Sequence, residues 1–257
     1  MRETLRHTGW MVVRQVRNLM REPIWIAMMI IQPMLWLILY GQLFSKTGAQ
    51  GRTGSSYVEF LLPGVVCMNA FFGGTWAGMA MISDLNRHVV DRFLAAPASR
   101  LAIVLSQVLR AGITAIIQAM ILLLVGLALG VRVHGGFPGW IVVLAAAALL
   151  AMVFAGFSNG IALLVRKEAS MIATANFVGL PLMFLSSILV SIALMPGWIR
   201  AIAKFNPVDW GTRAARNGVV YGSGWGHASA YLGFLVLATA VTSLFATWCF
   251  RVYQRSI

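Results

Sequence analysis

The chain has 257 residues, of which 60% are hydrophobic and 11% charged, and its mean hydropathy is +0.82. Soluble domains are about one quarter charged, and a soluble chain this apolar would expose patches that aggregate, so composition excludes a water-soluble globule and points to an all-α polytopic membrane protein. The formal net charge of +13 comes from basic residues set between apolar runs, a pattern that marks membrane topology and anionic headgroups rather than a nucleic-acid face.

In chain order, residues 5–21 come first. At about 100° per residue, Leu5, Val12, Val16 and Leu19 share one face, with Arg14, Arg17 and Arg21 roughly opposite. This is the pattern of an amphipathic helix lying in the cytoplasmic interface, either as a topology anchor or as a surface that also meets a cytoplasmic partner. Pro23 separates it from the first apolar run, because proline interrupts the helical hydrogen-bond ladder.

Six apolar runs reach the length of about 20 residues that a spanning helix needs: 24–44, 58–82, 105–130, 140–165, 171–194 and 230–250. The first is too long for a cleaved signal peptide. The arginines at 2, 6, 14, 17 and 21, those at 87, 92 and 100, the Arg166-Lys167 pair and Arg251 and Arg255 lie on one side of these runs. That bias places both termini in the cytoplasm, although the 195–227 loop, on the other side, carries four basic residues of its own. Pro181 is expected to kink the fifth run, and Gly156 and Gly160 have the spacing of a close helix contact.

Two connections stand out. Residues 83–100 are too many for a tight turn; Val90, Phe93 and Leu94 recur at helical spacing beside Asp84, Asp91 and Arg92, ahead of Pro97. They read as a short cytoplasmic helix with one apolar face. Residues 195–227 hold Trp198, Trp210, Tyr221 and Trp225, broken by Pro196 and Pro207. Aromatics favour the membrane interface, and irregular backbone survives at membrane depth only when protein or water covers it. Short helices at or dipping into the outer leaflet, beside a cavity or a subunit contact, are therefore expected.

Motifs for chemistry are missing. The sequence has no phosphate-binding loop, no His-Glu-x-x-His and no Gly-x-Ser-x-Gly. Cys67 and Cys249 each lie in an apolar run and read as packed thiols. No acid falls inside a run except Glu59 at an edge, which argues against the buried carboxylate relay of an ion-coupled carrier. Asn69, Gln118, Asn159, Asn176 and Ser187 lie inside runs; they are candidates for a substrate path, or else join helices by hydrogen bonds.

Three stretches then bear on family: Tyr57-Val58-Glu59-Phe60-Leu61-Leu62-Pro63-Gly64; Asp91-Arg92-Phe93-Leu94-Ala95-Ala96-Pro97-Ala98-Ser99-Arg100; and Met195-Pro196-Gly197-Trp198 through Phe205-Asn206-Pro207 with Arg213 and Arg216. Together they resemble the permease subunits of ABC-2 type ATP-binding-cassette exporters, in the daunorubicin-resistance-like branch. The family's Gly-Thr-Leu before the acidic residue is His88-Val89-Val90 here. The resemblance implies six transmembrane helices (24–257) preceded by a cytoplasmic interface helix (1–23) that carries Arg14, Arg17 and Arg21. It makes Asp84, Arg87, Asp91, Arg92, Phe93, Leu94, Pro97 and Arg100 the coupling helix that docks on an ATPase. It makes the region of Pro196, Trp198, Asn206 and Pro207 the external re-entrant helices above the exit path. It further implies a second permease, identical or related, and two cytoplasmic ATPases that hold the ATP and magnesium, this chain having no cofactor or metal of its own. The expected cargo is a hydrophobic or amphipathic drug or lipid, exported across the cell membrane by alternating access. Polysaccharide or cell-envelope lipid export by the same architecture, a membrane scaffold and a lipid-modifying enzyme are the rival readings.

Overall fold

The computed structural model describes residues 23–43, 57–86 and 100–254. Among the described residues the chain forms eight α-helices: α1 (Pro23–Leu43), α2 (Tyr57–Asn86), α3 (Arg100–Ala128), α4 (Gly136–Val165), α5 (Glu168–Phe184), α6 (Gly197–Ala203), α7 (Pro207–Arg216) and α8 (Trp225–Gln254). A 3₁₀ turn, Ile192–Leu194, precedes α6, and a π-helical turn, Asn217–Tyr221, follows α7. Helices α2, α4 and α8 and residues Leu101–Ala128 of α3 are long and apolar enough to cross a membrane; α5 and Ile30–Leu43 of α1 are shorter apolar helices.

Helices α2, α4 and α8 are apolar on most sides rather than on one stripe, which is the signature of helices with protein or lipid all round; α3 adds one polar face carrying Gln107, Arg110, Thr114 and Gln118. Helix α2 lies inside the bundle, buried continuously from Glu59 to Phe71, and touches α1, α3, α4, α5 and α7. Its approach to α4 depends on missing side chains. A Cβ at Gly74 would overlap the Ala151 carbonyl, and one at Gly78 would lie 2.5 Å from Ser158 Oγ. That close approach lets Ser158 Oγ donate to Thr75 O (2.5 Å) and accept from the Gly78 N–H (2.9 Å). On another face of α4, Gly156 and Gly160 admit Thr242 and Phe245 of α8. The glycine spacing thus marks a helix contact, with α8 as the partner. At its end α4 stops on Arg166, in the left-handed region (φ 56°), whose guanidinium lies 4.7 Å from the centre of the Tyr253 ring.

The fifth apolar run behaves differently from the expectation of a helix over 171–194. Helix α5 ends at Phe184, three residues beyond Pro181, and the next residues leave the helix although Ser186, Ser187 and Ile188 are buried. Backbone at such depth needs partners, and they come from a later segment. Asn206 Nδ2 donates to the carbonyls of Leu182 (2.7 Å) and Leu185 (3.0 Å), and the Ser187 N–H donates to Asp209 Oδ1 (2.9 Å).

Candidate functional site

The segment that supplies those partners is the start of α7, a short helix packed against α2, α4 and α8. Asn206 starts α7: its Oδ1 accepts from the Val208 N–H (3.0 Å) while its amide holds the end of α5. Pro207 suits the first helical position because the donor it lacks would have no partner there. Small residues let α7 penetrate. Gly211 packs on Leu150, about 20 Å along α4 from its first residue at 1.5 Å per residue. Farther on, Gly218 meets Gly139, near the start of α4. Helix α7 therefore runs from mid-bundle back toward the end where α2, α4 and α8 begin.

Helix α7 carries charge inward. Asp209 is fully buried, and its Oδ2 pairs with Arg213 Nε at 2.6 Å. An isolated carboxylate at that depth would be very costly, so the ion pair and the Ser187 N–H are what hold it there. Arg213 also donates to the Tyr231 hydroxyl (3.2 Å). Arg216, 4% exposed, donates from Nε to Phe60 O (3.3 Å) and from Nη2 to Ile188 O (2.8 Å), and its guanidinium stacks 3.8 Å from the centre of the Phe60 ring. Burial pulls its pKa down to about 10, against the opposing influence of Tyr221, Cys67, Asp209 and Tyr57, which leaves it cationic at neutral pH. The polar hub thus ties α2, the irregular stretch after α5, α7 and α8 together.

By sequence, Asp209 falls in a loop, and no acid stands within the apolar runs except at an edge. The fold carries this acid to mid-bundle depth from outside the runs. The signal for it is the Asp209–Arg213 spacing, at which side chains four apart on a helix meet.

The substrate-path candidates do not converge. Asn69 Nδ2 donates to Gln118 Oε1 (2.9 Å), joining α2 to α3 within the core. Asn159 is fully buried on α4, with neither amide atom hydrogen-bonded. Ser187 lies in the hub beside Asp209. Asn176 is exposed on α5 and donates to Ile172 O (3.0 Å). A crevice between α2, α4 and α5, bounded by Phe71, Phe154, Phe157, Met171 and Val178, has about 10 Å³ of space, enough for roughly one water.

Of the coupling candidates, Asp84 lies in the last turn of α2, where its Oδ2 accepts from Gln107 Nε2 of α3 (3.1 Å), and the backbone of Arg100 begins α3. Arg87, Asp91, Arg92, Phe93, Leu94 and Pro97 lie outside the described residues, as do Arg14, Arg17 and Arg21. Of the re-entrant candidates, Asn206 and Pro207 stand at the α7 start, Pro196 is the residue before α6, and Trp198 is 64% exposed on α6. Among the described residues no group of three or more His, Cys, Asp or Glu side chains could hold a metal ion.

The ABC-2 type transporter family matches residues 6–220. A putative transport permease, ycf38, of Cyanophora paradoxa is 32% identical over 78% of this chain and 69% of its own length. The daunorubicin resistance ABC transporter permease DrrB1 of Streptomyces coeruleorubidus is 25% identical over 90% of this chain and 80% of its own length. The probable doxorubicin resistance permease DrrC of Mycobacterium tuberculosis is 21% identical over 99% of this chain and 89% of its own length. Apolar helices, a short helix (α7) buried within the bundle and the family match agree: the chain is a multi-pass membrane transport permease that belongs to the ABC-2 type transporter family.

Proposed function

We propose that the chain is the membrane subunit of an ATP-driven exporter that moves a hydrophobic or amphipathic molecule out of the cytoplasm or the inner leaflet by alternating access. It works with a second permease, identical or related, and with two separate ATPase subunits that bind ATP and magnesium. Residues 1–23 serve as the interface helix, 24–257 as the six-helix membrane domain, and α6 and α7 as the re-entrant helices above the exit. Both termini face the cytoplasm. The names of the drug-resistance permeases support this class of cargo, and no observation favours a polysaccharide.

The observation that carries the reading is the outward stripe of α5. Ile172, Asn176, Leu180 and Phe184, spaced four apart, are all exposed, with Phe177 beside them at 83%. Hydrocarbon is a poor solvent for an amide, so a stripe that includes Asn176 suits a surface turned toward a second permease and a cargo path better than one turned toward lipid. The crevice of about 10 Å³ inside the helices is far below the size of ligand pockets, which start at about 300 Å³.

Coupling would pass through the 84–100 element, with Asp91 and Arg92 as charged contacts and Phe93 and Leu94 as an apolar plug in the ATPase. The test is ATP-dependent efflux of a fluorescent amphiphile from vesicles holding the permease and its ATPase. Asp91→Ala and Phe93→Ala are expected to abolish efflux and to lower ATP hydrolysis while membrane insertion stays normal. Unchanged efflux in both variants would sink the coupling assignment.

A further inference from the structure

The end of the bundle where α2, α4 and α8 begin contains a second concavity, which the transport reading does not use. It is an open concavity of about 350 Å³, within the range of ligand pockets. Phe60 and Ile192 form apolar wall, and the remaining lining is polar or basic, with Arg216, Arg213, Tyr231, Asn217, Ser191 and His227 among it. Among the described residues, none that lines it is acidic. Two neighbouring acids bear on the charge balance. Asp209, which does not line the cavity, pairs with Arg213. Glu59 points elsewhere, its Oε1 accepting from the Arg132 N–H (3.2 Å). Arg216 has only carbonyl oxygens and an aromatic face as close partners among the described residues, so its charge is not neutralised there by a carboxylate in contact. The Tyr231 oxygen accepts from Arg213, which leaves the phenolic proton free to donate.

We propose that this cavity binds an anionic phosphoryl group, with the guanidinium of Arg216 as its charged floor and Tyr231, Asn217 and Ser191 as further donors. A buried cation, several neutral donors and no acid in the described lining match the needs of a phosphate oxyanion, which accepts charge-assisted hydrogen bonds. The apolar wall of Phe60 and Ile192 suits a phosphate that carries an organic chain. The source is either the head of a phospholipid or free phosphate. The proposal does not depend on cargo export, because binding is read without an ATPase.

The full-length chain, purified in a neutral detergent, is titrated with dihexanoyl phosphatidylglycerol and, separately, with inorganic phosphate, following the thermal unfolding midpoint and intrinsic tryptophan fluorescence. Saturable binding is expected, weakening as salt is raised. A response to the phospholipid alone identifies a lipid head; an equal response to inorganic phosphate identifies a free anion. Arg216→Ala removes three contacts of the hub and can unfold the chain, so the decisive variants are milder. Asn217→Asp keeps the shape and adds a negative charge, and Tyr231→Phe removes one hydroxyl. Each is expected to fold and to weaken binding about tenfold or more, the loss expected for one charge-assisted hydrogen bond. Wild-type affinity in both variants, or no saturable response to either probe, would overturn the proposal.

Discussion

Asn206→Ala removes a side chain that serves two helices at once. The wild-type side chain, 2% exposed, makes three hydrogen bonds: it caps α7 through Val208 N–H and holds Leu182 O and Leu185 O at the end of α5. At about 1 kcal/mol net for each bond, its loss is expected to cost about 3 kcal/mol. A helix cap alone is worth about 1 kcal/mol. Asn206→Asp separates the two accounts. Aspartate caps a helix as well as asparagine does, but here its carboxylate would face two carbonyl oxygens and donate to neither. The double role therefore predicts that Asn206→Asp is at least as damaging as Asn206→Ala. The assay is reversible unfolding in mixed micelles titrated with dodecyl sulfate, followed by tryptophan fluorescence. Stability of Asn206→Asp within about 0.5 kcal/mol of wild type, the range of an inconsequential surface change, would show that the amide donors do not hold the end of α5.

Two further substitutions test the packing. Arg213→Gln leaves the buried Asp209 carboxylate without its ion pair and is expected to cost about 3–5 kcal/mol; adding Asp209→Asn should restore much of that loss, and strictly additive losses in the same unfolding assay would refute the pairing. Gly160→Ala would place a Cβ 2.5 Å from the Phe245 ring, whereas a Cβ at Gly233 meets open space. The first is expected to destabilise by about 1–3 kcal/mol through overpacking and Gly233→Ala to be neutral or stabilising by up to about 1 kcal/mol, with equal effects counting against the α4–α8 contact.

Much of the fold is legible because the bilayer demands long apolar runs, and length and composition suffice to find them. The runs beginning at 24, 58, 105, 140 and 230 correspond to α1, α2, α3, α4 and α8. The turn at Arg166-Lys167-Glu168 falls between α4 and α5, and the prolines at 196 and 207 mark the two short helices. The end of α5 is not legible. Leu185 to Leu194 is as apolar as the helix before it, and what stops the helix is a set of partners about twenty residues later, Asn206 and Asp209. Hydropathy carries no record of such pairing. For the same reason Asp209 reads as a loop acid, although Gly211 lets its helix press against Leu150 at mid-bundle. The polar residues inside the runs divide along similar lines: Asn69 finds Gln118 across a helix pair, while Asn176 is left outward on α5, and spacing alone does not separate these fates.

The proposed exporter stands or falls with an ATPase on another chain that drives this permease. Its most direct test is to purify the tagged chain from membranes in mild detergent and in lipid nanodiscs, identify what accompanies it by mass spectrometry, and measure ATP hydrolysis of the product. A stoichiometric soluble ATPase with a phosphate-binding loop, whose association is lost on Phe93→Ala, is the predicted result. Recovery of the chain alone, without ATP hydrolysis under all of these conditions, would contradict it.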